Sequence, residues 1–556
     1  MILINSLIII IWLILIAKAI LFWLYLWQLK EYHLKRFLDH FRTQKGKQLL
    51  LNPIRFVKIA LIILLLFSPY LLWPFLIVYI GELALTVIKR RVKKPVFTAK
   101  IAFLSGLNLL LFFALGLYFN LKLTGLWLVP ALVITDVLAP PLISLIVLLS
   151  QPLTTLMRQR IINQAENKRE KFKDLIVIGI TGSYGKTSTK EFLATILSKK
   201  FMVLKTRENQ NSEIGISRCI LDELKPEHQI FICEMGAYDK GKIKQVADMA
   251  KPNIGIVTGV NEQHLALFGS MENLVSAEGG GELLESLSKN GIFILNGDNE
   301  AVKSKYQVPS TPSTPSSGPR GKYQSNPESQ IQKTIFCSTK EKLDFWAENI
   351  TVEKDWLYFR VCDKTGESAD FKVSLVGRQN IENILLAAVC AKELGMTLAE
   401  IALACEKIKP DQGPIKLVLN QVKHKADILD STYSANPDGV LAALEHLKLW
   451  TGSKIIIMPC LIELGPAAKT IHERIGNKIG EICDLAIITT KDWFEEIKTA
   501  ALNAGIKPEN IVFSENPQKI FARIKNFNKP GDVILVEGRL SRELLDRFKN
   551  KTVPAI

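Results

Sequence analysis

The chain has 556 residues, room for about three to four domains of ~150 residues, and its 48% apolar and 22% charged content excludes a disordered or collagen-like polymer. The formal net charge is +16, yet residues 1–174 hold 22 Lys+Arg against 7 Asp+Glu, while the rest of the chain is nearly balanced at 48 against 47. The excess therefore sits beside apolar segments, a signature of membrane topology and not of a nucleic-acid partner.

Residues 2–27 (ILINSLIIIIWLILIAKAILFWLYLW) are long enough to cross ~30 Å of hydrocarbon. No basic stretch precedes them and no small-residue cleavage site follows, so an anchor is expected and not a cleaved leader. Apolar runs recur at 57–88, 101–119 and 126–149. The stretch 28–58 carries eight Lys/Arg, 89–100 six and 150–174 six, against Lys122 alone in 120–125. By the positive-inside rule the basic stretches are cytoplasmic and the 120–125 turn is outside. Both ends of 57–88 then lie on one side, so that run turns back near Pro69 and Pro74. The reading is a transmembrane domain over 1–150 with four to five membrane elements, the N-terminus outside, and a basic helical linker over 151–174. Lys18, Glu82 and Asp136 fall inside it, as a polar pathway or, for the first two, as snorkelling side chains.

From residue 175 strands and helices alternate: DLIVIGI, QIFICEM, NIGIVTG and GIFILNGD, then the helix IENILLAAVCAKELG. This pattern predicts a doubly wound parallel sheet in a central P-loop domain over 175–410. A Pro/Ser-rich stretch at 308–330 reads as a mobile loop within it. A second, Rossmann-like α/β domain over 411–556 is expected from ADILDS, KIIIMPC, LAIITT, NIVFSE and DVILVEG. All eight cysteines follow residue 175 and none forms a CxxC pair, which predicts reduced, buried thiols in a cytosolic fold.

The sharpest chemical signal is Gly179-Ile180-Thr181-Gly182-Ser183-Tyr184-Gly185-Lys186-Thr187. A strand enters a Gly-rich turn and then a helix, so backbone N–H groups from Gly182 to Ser188 can cradle phosphates. Lys186 would neutralise the β/γ-phosphates and the Thr187 hydroxyl would meet Mg²⁺. Ile180 stands where a strict P-loop has its first glycine.

The series continues with ENQNSEIG (208–215), EMGAYDKGKI (234–243), TGVNEQHLALFGS (258–270), NGDN (296–299), GRQNIEN (377–383), DSTYSANPDG (430–439), MPCLIELG (458–465) with His472, and LVEGRL (535–540). In this order it resembles the Mur ligase family over about residues 175–545, and most closely the branch that adds D-alanyl-D-alanine. The resemblance implies an ATP-dependent acid–amino-acid ligase that passes through an acyl phosphate, with ATP and Mg²⁺ as cofactors. It implies Mg²⁺ roles for Thr187, Glu234 and His264, nucleotide contacts at Asn296, Asn380 and Asp430, and substrate contacts at Asn209, Asn211, Tyr433 and Asn436. Asn380, Asn383, Asp430 and Asn436 are also ordinary cap or turn residues, and His472 an ordinary helix residue.

The sequence departs from the family pattern in places. Membrane segments stand where the family has its UDP-sugar domain. Gln379 replaces a common His, Gly413-Pro414 stands for Gly-Arg, and Glu537-Gly538-Arg539 for Lys-Gly-Ser. The family's Mg²⁺-bridging carbamylated lysine aligns with Glu278, with Glu282 as a rival because Gly279-Gly280-Gly281 blurs the register. The expected protein is an integral protein of the cell (inner) membrane with cytoplasmic catalytic domains. Its partners are a UDP- or lipid-linked glycopeptide precursor of the cell wall, an amino-acid or dipeptide acceptor, and membrane lipid. Two other classes, an ATP-driven transport component and a catalytically silent scaffold, are weighed against it. The first needs coupling acids among Glu82 and Asp136, and the second is disfavoured by Lys186, Thr187, Glu234 and His264.

Overall fold

Alternating apolar strands flanked by helices can bury both faces of a sheet, and the chain after residue 175 builds two such sheets. The computed structural model describes residues 2–51, 53–65, 72–88, 93–123, 127–208, 210–306, 333–418, 426–433, 435–527, 529–541 and 543–545. The chain divides into two units, Met1–Gln159 and Arg160–Ile556.

In the first unit the main helices are Ile2–Leu29, Pro53–Leu65, Leu72–Ile88, Ala99–Lys122 and Leu128–Leu149. Three helical stretches, Ser6–Leu29, Ala99–Lys122 and Leu128–Arg169, are long and apolar enough to cross a membrane. The run expected to turn back within 57–88 forms two short helices of 13 and 17 residues, and their connection, with Pro69, lies outside the described residues. The 120–125 turn is likewise only partly described. Buried Trp12 donates from its indole N–H to the Leu132 carbonyl at 2.9 Å, and Trp27 donates to Ser144 Oγ at 3.0 Å. These bonds satisfy the indoles that the apolar packing encloses. Glu82 lies 2.7 Å from Lys58 Nζ, a lysine only 4% exposed, which also pairs with Asp136. Tyr79 donates to Asp136 at 3.1 Å and Lys18 stands 3.8 Å from Glu82.

In the second unit, nine strands form the first sheet: β1 Ile176–Thr181, β2 Val203–Lys205, β3 Ile230–Glu234, β4 Ile254–Val257, β5 Ile292–Asn296, β6 Lys333–Ser338, β7 Phe345–Val352, β8 Leu357–Asp363 and β9 Ser368–Val373. Their order is β2-β3-β1-β4-β5-β6-β7-β8-β9. Ile178, Ile180, Ile232 and Ile256 face a core with Phe192 and Ile384, while Val177, Phe231, Cys233 and Val257 face Ile216 and Val246. Both faces are covered, as parallel strands require. The expectation of a wholly parallel sheet needs correction, because β8 and β9 are antiparallel. The first half of β8 and the last half of β9 alternate between buried and more open positions, the pattern of strands covered mainly on one face.

The second sheet contains β10 Lys416–Val418, β11 Asp427–Ser431, β12 Lys454–Met458, β13 Leu485–Ile488, β14 Ile511–Phe513 and β15 Val533–Glu537, in the order β10-β11-β15-β12-β13-β14. Only β10 runs antiparallel among these described strands. All eight cysteines are free and buried. The 308–330 loop lies outside the described residues.

Candidate functional site

The site forms where β1, β3, β4 and β5 end, the edge at which open α/β sheets place ligands. After β1 the chain turns through Gly182 at φ 141° and Gly185 at φ 76°, and enters helix Lys186–Leu197. A Cβ on Gly182 would collide with Thr258 Oγ1, and one on Gly185 with Asn383 Oδ1. These contacts leave space for backbone only, the condition for N–H groups to face an anion. Ser183 N–H donates to the Gly259 carbonyl at 2.7 Å, tying the turn to β4. Lys186 folds back onto the carbonyls of Gly182 and Ser183. Ser188 is buried, and Tyr184 is enclosed with its hydroxyl accepting from Asn299 Nδ2 at 3.2 Å.

Two acidic pairs flank this turn. Glu234, at the end of β3 and 4% exposed, accepts from Thr187 Oγ1 at 3.0 Å and from Asn211 Nδ2 at 3.3 Å. Lys190 lies 3.0 Å from its other oxygen and is wholly buried. On the opposite side Glu278, 1% exposed, accepts from Ser183 Oγ at 2.6 Å and meets His264 Nδ1 at 3.0 Å. Burial pushes the Glu278 carboxyl up, but His264, Lys186 and the Ser183 hydroxyl outweigh it and hold it below the usual carboxylate range. Glu282 goes elsewhere: it accepts from Gly241 N–H at 2.6 Å and Lys244 N–H at 3.0 Å, capping helix Lys242–Ala250. Of the two rivals, the fold thus turns Glu278 toward the phosphate turn.

The oxygens of Thr187 and Glu234, and those of Ser183 and Glu278, suit a hard cation such as Mg²⁺. Among the described residues no three His, Cys, Asp or Glu side chains converge on one point. The four residues named for metal binding stand as two separate pairs, Thr187 with Glu234 and His264 with Glu278.

Asn296, at the end of β5, donates to the Thr258 carbonyl at 2.8 Å and to Glu382 at 3.0 Å. Burial raises the Glu382 carboxyl to about 7, with Asn296 opposing and Asp298 adding to the rise. Asn380 is not a cap, since Arg378 occupies that position. It sits inside helix Gln379–Glu393, donates to the Val376 carbonyl at 2.9 Å, and its buried Oδ1 has no partner. Asn383 is also internal to that helix and accepts from Thr189 Oγ1 at 3.3 Å.

The second sheet contributes from β11 and the loop after it. Asp430 accepts from the N–H and hydroxyl of Thr432 at 3.0 and 2.6 Å, a local turn contact. Tyr433 extends to within hydrogen-bonding reach of Thr187; burial raises its hydroxyl pKa and Glu234 adds to that. Asn436 caps helix Pro437–His446 through Gly439 N–H, and accepts from Asn261 Nδ2 at 3.1 Å. Asn261 also donates to Asp438 at 2.9 Å, and Ala266 N–H donates to the Glu463 carbonyl at 3.0 Å. These contacts bring the second sheet's loops onto the first sheet's site. Asn209 lies outside the described residues. His472 is buried, not on the surface, with Leu461 N–H on Nε2 and the Ala468 carbonyl on Nδ1, which ties helix Ala468–Ile482 to the loop after β12.

Sequence reasoning missed Lys190, whose signal was its place four residues after Lys186 on the same helix face. It also missed Ser183 as the partner of Glu278, which no local pattern reveals.

Residues 180–391 match the Mur ligase middle domain, and residues 418–540 match the Mur ligase, glutamate ligase domain. The chain is similar to the UDP-N-acetylmuramoyl-tripeptide–D-alanyl-D-alanine ligase of Escherichia coli, 32% identical over 304 residues that make up 54% of this chain and 61% of that protein. The enzyme of the same name from Synechocystis is 29% identical over 65% of this chain and 70% of its own. The chain thus spans about three fifths of the length of the first relative. In fold it is similar to MurF from Acinetobacter baumannii, with TM-score 0.57 and 23% identity over 70% of this chain and 79% of that one. It is equally similar to a Thermotoga maritima MurF ligase in complex with ADP, with TM-score 0.57 and 23% identity over 71% and 84%.

Proposed function

The chain belongs to the Mur ligase family through its middle and C-terminal domains, and we propose that it is a membrane-integral, ATP-dependent ligase that joins a precursor carboxylate to an amine. The observation that carries this reading is the pair of oxygen clusters on one glycine-rich turn, Thr187–Glu234 and Ser183–Glu278, with Lys186 resting on the carbonyls of that turn. A precursor carboxylate attacks the γ-phosphorus of ATP, the bond to the β-phosphate oxygen breaks, and ADP leaves. The acceptor amine then attacks the acyl carbon of the resulting acyl phosphate, and phosphate leaves as the amine sheds its proton. Lys186 supplies positive charge where the phosphoryl oxygens accumulate negative charge. Thr187 with Glu234, and Glu278 with His264, would hold Mg²⁺, which neutralises phosphate charge when bound. Asn296 and Asn380 line the nucleotide side, and Asn211, Tyr433 and Asn436 the substrate side.

The curated relatives named above support D-alanyl-D-alanine as acceptor and a muramoyl tripeptide as donor. The membrane reading is supported by the three long apolar helices and by the open apolar face of helix Ala99–Lys122, where Phe103, Leu110 and Phe113 are exposed. With membrane helices in the same chain, a lipid-linked tripeptide at the cytoplasmic leaflet fits as donor beside the UDP-linked one. The test is phosphate release by the detergent-solubilised full chain, with lipid-linked or UDP-linked tripeptide and D-alanyl-D-alanine offered singly and together. Release that needs both a donor and the dipeptide is expected. Release indifferent to donor and acceptor would overturn the ligase reading.

A further inference from the structure

The central strand of the second sheet ends in a carboxylate that packing does not explain. Glu537 closes β15, between β11 and β12, and is 1% exposed. Alternation puts Val533, Leu535 and Glu537 on one face, and the first two join the apolar core with Val440 and Met458. An acid thus continues an apolar row. Among the described residues neither of its oxygens is in a well-formed hydrogen bond, and only the Ser431 side chain and the Gly538 N–H lie near enough to oppose the effect of burial. Ser431 pairs with it in register and the Gly538 N–H lies beside it, but that N–H donates to the Ser431 carbonyl at 3.1 Å. The charged group acting on it is Asp430, a second acid. Burial, with Asp430 adding to it, pushes the Glu537 carboxyl up to about 8. A buried acid whose nearby donors do not offset its burial is costly, and an apolar residue would serve the core better. Its place is the ligand-binding edge of the sheet. From Ser431 the chain needs only two more residues to reach Tyr433, which meets Thr187 of the phosphate turn.

We propose that Glu537, with the Ser431 hydroxyl, binds the ammonium group of the acceptor, so that the acceptor enters amine-first as a cation. An ammonium brings three donors and one positive charge, which matches two bare carboxylate oxygens, a hydroxyl and a neighbouring acid. This inference rests on the ligase reading for the acceptor's identity, and not for the cation site.

The test is calorimetric binding to the full-length chain in detergent with ADP and Mg²⁺ present. D-alanyl-D-alanine should bind the wild type at least ten-fold more tightly than its N-acetylated form, which has no ammonium. Glu537→Gln keeps the shape and should weaken dipeptide binding ten-fold or more; Glu537→Lys should abolish it. ADP affinity within two-fold of wild type in the same samples reports an intact fold. Unchanged dipeptide affinity in the Gln variant, or equal binding of the acetylated dipeptide, overturns the inference. If no donor and dipeptide together release phosphate, the ligase reading falls, and 1,5-diaminopentane becomes the probe. Its binding, lost in Glu537→Gln, keeps the cation site; binding indifferent to the substitution overturns it.

Discussion

The helical unit and the P-loop region both bury charge, but they settle it differently. In the helical unit Lys58 lies between Asp136 and Glu82, with Tyr79 on Asp136 and Lys18 near Glu82. Among the described residues two lysines face two acids. At the phosphate turn Lys186 rests on neutral carbonyls of its own loop, which are weak partners for an ammonium. The first arrangement fixes helices against one another; the second holds a cation that a phosphate can draw away.

The largest effect is expected at the exchangeable cation. Lys186→Ala should lower ATP turnover by about three orders of magnitude or more, the scale of losing a preorganised charge on phosphoryl transfer. Membrane extraction and melting temperature should match the wild type. Near-normal turnover would erase the contrast between the two regions.

Glu278 comes next. Glu278→Gln removes charge but keeps shape, and turnover should fall by one order of magnitude or more. Glu278→Lys should retain partial activity that rises with added bicarbonate, because a carbamylated lysine would restore an anionic oxygen. A steady-state phosphate assay with and without bicarbonate checks both. Full activity of the Gln variant would make the pair with Ser183 and His264 structural.

The helical unit's cluster should respond in stability and not in chemistry. Lys58→Met removes the buried lysine from the half-buried Asp136 and Glu82, and breaking a fully buried pair costs roughly 3–5 kcal/mol, an upper bound here. Adding Asp136→Leu should recover much of that loss, since an apolar replacement of a whole buried pair is often neutral. Thermal melts in detergent read the stability, and turnover per folded molecule should stay near wild type in both variants. A Lys58→Met protein that melts normally but loses turnover would return the cluster to the functional side.

The two regions were not equally legible in the sequence. Lys186 and Thr187 are announced by the strand, the glycines and the helix start, all within nine residues. The parallel strands are equally plain, because strands covered on both faces read as unbroken apolar runs. The antiparallel β8 and β9 were missed because one-sided strands alternate and look like polar connections. Glu278 stayed ambiguous against Glu282 because three glycines give no local register; only the packing of helix Met271–Ala277 decides which acid turns inward. Lys58 was counted as a basic loop residue, since nothing nearby in sequence names its partners 24 and 78 residues away.

The smallest effect concerns an acid that resembles neither cluster. The Glu382 carboxyl is enclosed, although part of the residue reaches the surface, and it accepts from Asn296 while Asp298 and Asp438 stand near it. Among the described residues no ammonium bonds to it, and burial dominates although Asn296 and Lys340 oppose it, so its pKa rises from 4.5 to about 7. The folded chain therefore keeps a proton that the unfolded chain releases. The stabilising contribution is complete below pH 4.5 and is lost as the pH rises through about 7. Glu382→Gln is neutral in both states, so it should remove this part of the pH dependence. The drop in melting temperature between pH 5 and pH 8 should be smaller in the variant than in the wild type. By contrast Glu278, held ionised by its partners, adds stability that is lost on acidification, and Glu278→Gln should flatten the acid side of the same profile. If Glu382→Gln leaves the pH 5 to pH 8 difference unchanged, a cation serves this acid too, and the line drawn here between matched and unmatched buried acids fails.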